Sequence, residues 1–187
     1  MIPAHKDTIM VHCLATPPSW GESKSAAQAA AEVRLWHTRD RGWSDLAYAM
    51  VFGYRGDRAK GRDLDRDGDV WEETGAGARG WNKNCIHLAL VGGRWPDLRW
   101  GLRTDRFEDH FTPEQDRALR EAIREIQQLA GRPLKVIGHN EVDAGKGCPA
   151  FDVPTWYARG KPQVGNPVAD ALTGLFRRLG LGSGGPA

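Results

Sequence analysis

Two short β-like runs, "TIMVHC" at 8–13 and "LKVIGH" at 134–139, carry a histidine at or next to their downstream ends although they stand far apart in the chain. Apolar, β-branched runs bounded by turn signals read as strands, and the first of these stops at a Thr-Pro-Pro turn. If the two strands lie parallel in one sheet, His12 and His139 emerge at the same edge, which is where α/β sheets place their sites.

The sequence between them supports such a sheet. "AAQAAAEVRLWHTRDRGW", 26–43, is alanine-rich, carries Val33, Leu35, Trp36 and His37 and ends on a glycine stop, so a helix is expected there. "YAMVFGY" at 48–54, "DVWEE" at 69–73 and "CIHLALVGG" at 85–93 are expected strands, the last apolar enough to be central. "TPEQDRALREAIREIQQLAG" predicts the clearest helix. Thr112 is its N-cap, Pro113 suits the first turn and Gln115 completes a capping box. Leu119, Ile123, Ile126 and Leu129 or Ala130 then mark one apolar face before Gly131 and Pro133 end it. The fold class expected is α/β, a single mixed β-sheet with helices packed on it.

A chain of 187 residues, 40% hydrophobic, supplies apolar material for one ordinary core. Twenty-six basic against twenty-four acidic residues leave a net charge of +2, far from the dense basic face of nucleic-acid binders, so no nucleic-acid partner is expected. The N-terminus "MIPAHKDTIMVHC" has charges where a signal peptide carries its apolar stretch. A product made in the cytoplasm is expected. Cys13, Cys85 and Cys148 are too few for a disulfide framework, and the first two fall in strand-like runs. Cys148 differs, with Gly-Lys-Gly before it and a proline after.

"IGHNEVDAGKGCPAFD", 137–152, sets His139, Lys146 and Cys148 within ten residues. Imidazole and thiolate are zinc ligands, and a catalytic zinc takes three protein ligands while keeping a fourth position open. His139 and Cys148 are too far apart in sequence to share a helical face as an i,i+4 pair. They must come from a strand end and the loop that follows it, with His12 the favoured third ligand. Each has a structural alternative: His12 as a half-buried strand residue bonded to backbone, Cys148 as a small hydrophobe.

"VHCLATPPS", "EVRLWHTRDRGWSDLAYAMVF", "GWNKNCIHLALVGG", "FTPEQ" and "GHNEVDAGKGCPAFD" occur in the order and near the spacing of the type-2 N-acetylmuramoyl-L-alanine amidases. The chain resembles the short phage endolysins of that family most, and is similar also to peptidoglycan recognition proteins. The resemblance covers about residues 8–157 and implies the type-2 amidase fold. It implies one zinc ion held by His12, His139 and Cys148, and two catalytic residues, Tyr48 and Lys146. His37, Arg41 and Asn82 match positions lining the muropeptide groove. The implied reaction is hydrolysis of the amide between N-acetylmuramic acid and the L-alanine of the stem peptide, with peptidoglycan as partner.

Taken without the resemblance, Tyr48 reads as a core strand residue and Lys146 as a solvated loop charge. No HExxH helix supplies a glutamate base, and Glu141 is either a partner of a ligand histidine or a surface ion-pair member. The chain also departs from the family. Ala49 follows the tyrosine and Gly77 stands in "GAGARGWN", where the family often has histidines, while His87 stands where glycine is usual.

"DLDRDGDVWEET", 63–74, begins at EF-hand spacing, but its twelfth position is Thr74 where calcium needs a bidentate glutamate. An acidic solvated hairpin is expected there rather than structural Ca2+. The division expected is a zinc amidase catalytic domain over 1–158 and a Gly/Pro-rich tail over 159–187. The tail's amphipathic segment 168–181 either docks on the domain, as its periodicity favours, or makes weak contact with a membrane surface. Two alternatives stand beside the amidase, which is expected to be a monomer. One is a peptidoglycan-binding module with little activity, and the other is additional regulatory binding to an RNA polymerase. An endolysin of this kind reaches the wall after holin-type release.

Overall fold

The computed structural model describes residues 1–94 and 106–160; the expected tail segment 168–181 lies outside them. Among the described residues five strands form one sheet: β1 (Thr8–Cys13), β2 (Met50–Phe52), β3 (Arg58–Lys60), β4 (Cys85–Leu90) and β5 (Lys135–Gly138). Their order is β3-β2-β4-β1-β5. β1 pairs in parallel with both β4 and β5, β2 pairs in parallel with β4, and only β3 runs antiparallel, on the edge beside β2. The fold is thus a single mixed sheet with β4 at its centre. Every residue of β1 and β4 is buried, which is why both segments are nearly continuous apolar runs rather than alternating ones.

Helices α1 (Pro18–Gly21), α2 (Ala26–Leu35), α3 (Pro113–Ala130) and α4 (Val153–Arg159) complete the domain. Thr112 caps α3 through a reciprocal box with Gln115, and Gly131 closes it in the left-handed region at φ 64°. Leu119, Ile123 and Ile126 pack against Ile9, Val11, Ile86, Leu88 and Leu90 on one sheet face. Each fully buried side chain of this size contributes about 1.5–3 kcal/mol. Ala130 rather than Leu129 completes the stripe, because Leu129 is 53% exposed while Ala130 packs on the core. Gln115, itself buried, donates through Nε2 to the carbonyls of Phe52 and Val91 and so ties the start of α3 to the ends of β2 and β4.

The opposite face carries α2, whose Ala29, Ala30 and Val33 pack on Leu46, Val51 and Val91. The expected helix over 26–43 divides here. The α-helix ends at Leu35, a π-helical turn covers Trp36–Asp40, and Gly42 leaves it at φ 67°. His37, on that turn, is buried against Trp43 and Tyr48.

Two expected strands change. "YAMVFGY" contributes only Met50–Phe52, and a short edge strand absent from the sequence reading, β3, pairs with it. "DVWEE" forms turns. The carboxylates of Asp65, Asp67 and Asp69 accept the N–H groups of Asp67, Asp69 and Trp71, so local acceptors replace a ladder partner. The hairpin expected within 63–74 is accordingly a run of turns after β3. Val70 anchors it in the core, and the buried Lys6 ammonium donates to Glu73 O at 2.6 Å and Cys85 O at 3.3 Å.

Candidate active site

His12 is the penultimate residue of β1 and His139 follows β5 directly, opening a 3-10 turn. The parallel pairing of β1 with β5 is what brings them together: Val11 lies opposite Gly138, and the two imidazole centroids stand 4.8 Å apart. The loop after His139 then folds back on itself. Asp143 N–H bonds His139 O, Lys146 N–H bonds Asp143 O, and Asn140 N–H reaches Cys148 O at 2.8 Å. Cys148 thereby returns to the strand end.

The Cys148 Sγ lies 3.7 Å from His12 Nδ1 and accepts the backbone N–H of Cys13 at 3.2 Å. His12, His139 and Cys148 offer ligand atoms that all lie within 4.8 Å of one another. Zinc bonds of about 2.0–2.1 Å to nitrogen and about 2.3 Å to sulfur place a tetrahedral N···S edge near 3.6 Å. The His12–Cys148 separation matches that edge, so the donor set and its spacing fit one such ion.

Electrostatics agree with this reading. Burial first, then the neighbouring His87 and His139, holds His12 well below its ordinary range. Burial and the Lys146 charge lower His139. Both rings are neutral near pH 7, the form that binds metal. The side-chain hydrogen bond with Cys13, followed by burial, pushes the Cys148 thiol well up. A bound cation would lower it again and favour the thiolate.

These three residues line a cleft of about 640 Å3 together with Tyr48, Lys146, His37 and Arg41. Tyr48 leads into β2, and its ring stands 5.2 Å from that of His12 and 5.8 Å from that of His37. Burial, reinforced by Cys148, raises its phenol above the ordinary value, so the hydroxyl keeps its proton. His37 is buried and accepts the Ala47 N–H on Nδ1, and burial with the Arg41 charge lowers it to about 4. Arg41 lies over the Trp43 ring at 5.3 Å. Lys146 is exposed at the rim.

Asn82 does not line this cleft. Its Oδ1 accepts the Ala78 N–H and so shapes the turn behind the site. Glu141 accepts the Gly138 N–H at 2.6 Å and braces the start of the His139 turn. Sequence reasoning missed three participants: Trp36 and Trp43 in the cleft wall, and His87, whose Nδ1 is 2.9 Å from His12 Nε2. The tryptophans had a signal in their flanking positions around His37, while His87 stood out only as an unusual residue in an apolar strand.

No protein-family model matches the chain. The endolysin of Escherichia phage T7 is 33% identical over 154 residues, covering 82% of this chain and 86% of the relative. The endolysin of Enterobacteria phage T3 is 32% identical over 157 residues, covering 83% and 88%. Among solved structures, the bumblebee peptidoglycan recognition protein PGRP-SA superposes with a TM-score of 0.63 at 17% identity, over 86% of this chain and 84% of that one. The N-acetylmuramoyl-L-alanine amidase LysC from Clostridium intestinale URNW gives 0.59 at 18%, over 84% and 85%. The chain belongs to the family of the phage T7 and T3 endolysins, on the fold shared by type-2 amidases and peptidoglycan recognition proteins.

Proposed function

We propose that this chain is a zinc-dependent peptidoglycan hydrolase that cleaves the amide between N-acetylmuramic acid and the L-alanine of the stem peptide. The observation that carries the reading is the convergence of His12, His139 and Cys148 beside Tyr48 and Lys146 in one cleft. Its relatives' description as endolysins and the amidase among its structural neighbours support it.

When bound by the three donors, zinc supplies Lewis acidity that activates water and polarises a carbonyl. The protein's own groups do the rest. Tyr48, protonated and half-buried beside His12, donates a hydrogen bond to the oxygen that gains charge as the amide carbonyl is attacked. Burial raises its pKa, so the hydroxyl carries its proton and is available as a donor; Tyr48 or Lys146 passes a proton to the leaving amine. Lys146, exposed at the rim, brings a cation to the same charge; one such donor is worth about 3–4 kcal/mol of barrier. Trp36, Trp43 and His37 form an aromatic wall, and Arg41 beside it presents a planar guanidinium suited to the carboxylates of a stem peptide.

Among the described residues no helix is long and apolar enough to cross a membrane. Release to the wall through a holin-type lesion is the route proposed from the endolysin relatives, and expression with and without a holin tests it through the timing of lysis.

The direct test of the reaction is the product. Purified peptidoglycan should release new L-alanine amino groups without new reducing sugar ends. Release of neither would overturn the hydrolase reading and favour a binding module, and reducing ends alone would move the cut to the glycan.

A further inference from the structure

One buried histidine close to the three donors has no part in the reaction as described above. His87 lies in the middle of β4, the central strand, where it is 1% exposed. Its Nδ1 is 2.9 Å from His12 Nε2, on the far side of the His12 ring from Cys148, which faces Nδ1 of that ring. His87 is therefore placed behind a ligand and is not itself a fourth one. We infer that His87 is a positioning residue for the metal centre, a hydrogen-bond acceptor that fixes the orientation and tautomer of His12; this rests on the zinc reading proposed above.

A neutral imidazole has one N–H and one lone pair. If Nδ1 of His12 gives its lone pair to a metal, Nε2 must carry the hydrogen, and the acceptor in line with it is His87 Nδ1. Metal-bound histidines are commonly held this way by a partner on the second nitrogen, usually a carboxylate or carbonyl. Here the partner is a second imidazole mounted on the central, fully buried strand of the sheet. The His87 main chain is fixed as well, its carbonyl accepting the Ala49 N–H at 2.8 Å.

Two glycines approach the pair closely. A Cβ at Gly77 would stand 2.7 Å from His87 Nδ1 and 3.0 Å from His12 Nε2, on the hydrogen bond itself. At Gly75 a Cβ would come within 2.4 Å of His87 Cδ2. Two glycines in the same loop thus clear the space that the two rings share. Among the described residues His87 Nε2 has no hydrogen-bond partner, so the ring's one polar contact is with His12.

The test uses the full chain with His87→Leu, which removes the acceptor, and His87→Asn, whose Oδ1 takes the place of Nδ1. Zinc affinity is measured by competition with a chromophoric chelator, and the geometry at the metal by the visible absorption of the cobalt-substituted protein. His87→Leu should bind zinc about 10–100-fold more weakly and shift the cobalt bands. His87→Asn should recover most of both. Gly77→Ala, which keeps His87 but crowds the bond, should weaken zinc binding in the same direction and decides the matter if His87→Leu does not fold. Wild-type affinity and an unchanged cobalt spectrum in His87→Leu, or equal loss in His87→Leu and His87→Asn, would overturn the inference while leaving the amidase reading intact. Absence of zinc binding by the unmodified chain would overturn both.

Discussion

Nδ1 of His12 and Sγ of Cys148 stand 3.7 Å apart although 136 residues separate them in the chain. The contact exists because β1 is interior to the sheet and the loop after β5 folds back to it, where the Cys13 N–H is aimed at the same sulfur. Cys148→Ser keeps the volume and removes the thiolate. The variant should fold, purify with far less than one zinc per chain by elemental analysis, and show only background amidase activity. Full zinc occupancy in this variant would remove Cys148 from the ligand set.

Tyr48→Phe leaves the three donors untouched and deletes one hydroxyl beside them. Zinc content should be unchanged, KM nearly unchanged, and kcat lower by about 10²–10³-fold, as for loss of a single oxyanion donor. Burial raises the Tyr48 pKa, so the wild-type rate should show no loss from phenol ionisation up to the ordinary tyrosine value near 10. A variant with normal kcat would return Tyr48 to a packing role.

His37 links stability to pH in a definite direction. Burial depresses it from 6.5 to about 4 in the folded chain, so the unfolded chain takes up its proton first as pH falls. Its contribution is complete above pH 6.5 and is lost as pH drops from there towards 4. Urea unfolding of the metal-free protein should therefore show about 1–2 kcal/mol less stability at pH 5 than at pH 7 from this residue. His37→Asn, which can still accept the Ala47 N–H but does not titrate there, should flatten that slope. An unchanged slope would assign the effect elsewhere.

The catalytic domain proposed for residues 1–158 and the tail from 159 can be separated experimentally. Helix α4 runs to Arg159 with Gly160 as its C-cap, so a chain ending after Gly160 keeps the whole element. It should retain activity on purified wall within about twofold, and its thermal midpoint reports on docking, because loss of a packed amphipathic segment lowers the midpoint by several degrees per kcal/mol. Loss of activity on purified wall would make the tail part of the catalytic unit.

The sequence made the sheet and the clustering of His12, His139 and Cys148 legible for physical reasons. β1 and β4 are buried, mostly apolar runs, β5 is buried after its first residue, α3 carries both its caps and its stripe, and the three proposed ligands sit on strand ends and a glycine-flanked loop. Harder to see was anything governed by local polar chemistry. "RAK" at 58–60 has no apolar pattern because β3 is a half-exposed edge strand, though the Gly56 turn before it was a hint. The carboxylates in 65–69 looked like part of a hairpin until their bonds to nearby N–H groups left no ladder to form. His87 and Gly77 were visible as separate departures from the family pattern. Only the parallel register of β1 with β4, which sets Met10 opposite His87, places the two positions together behind His12.

The central claim, that His12, His139 and Cys148 hold one zinc and thereby make an amidase, is tested most directly by zinc titration of the metal-stripped protein. The readout is release of L-alanine amino groups from purified peptidoglycan. The account predicts no release from the stripped protein and full recovery that saturates at about one zinc per chain, the stoichiometry of a single three-ligand site. Release that is indifferent to stripping, or recovery that needs several equivalents, would contradict it.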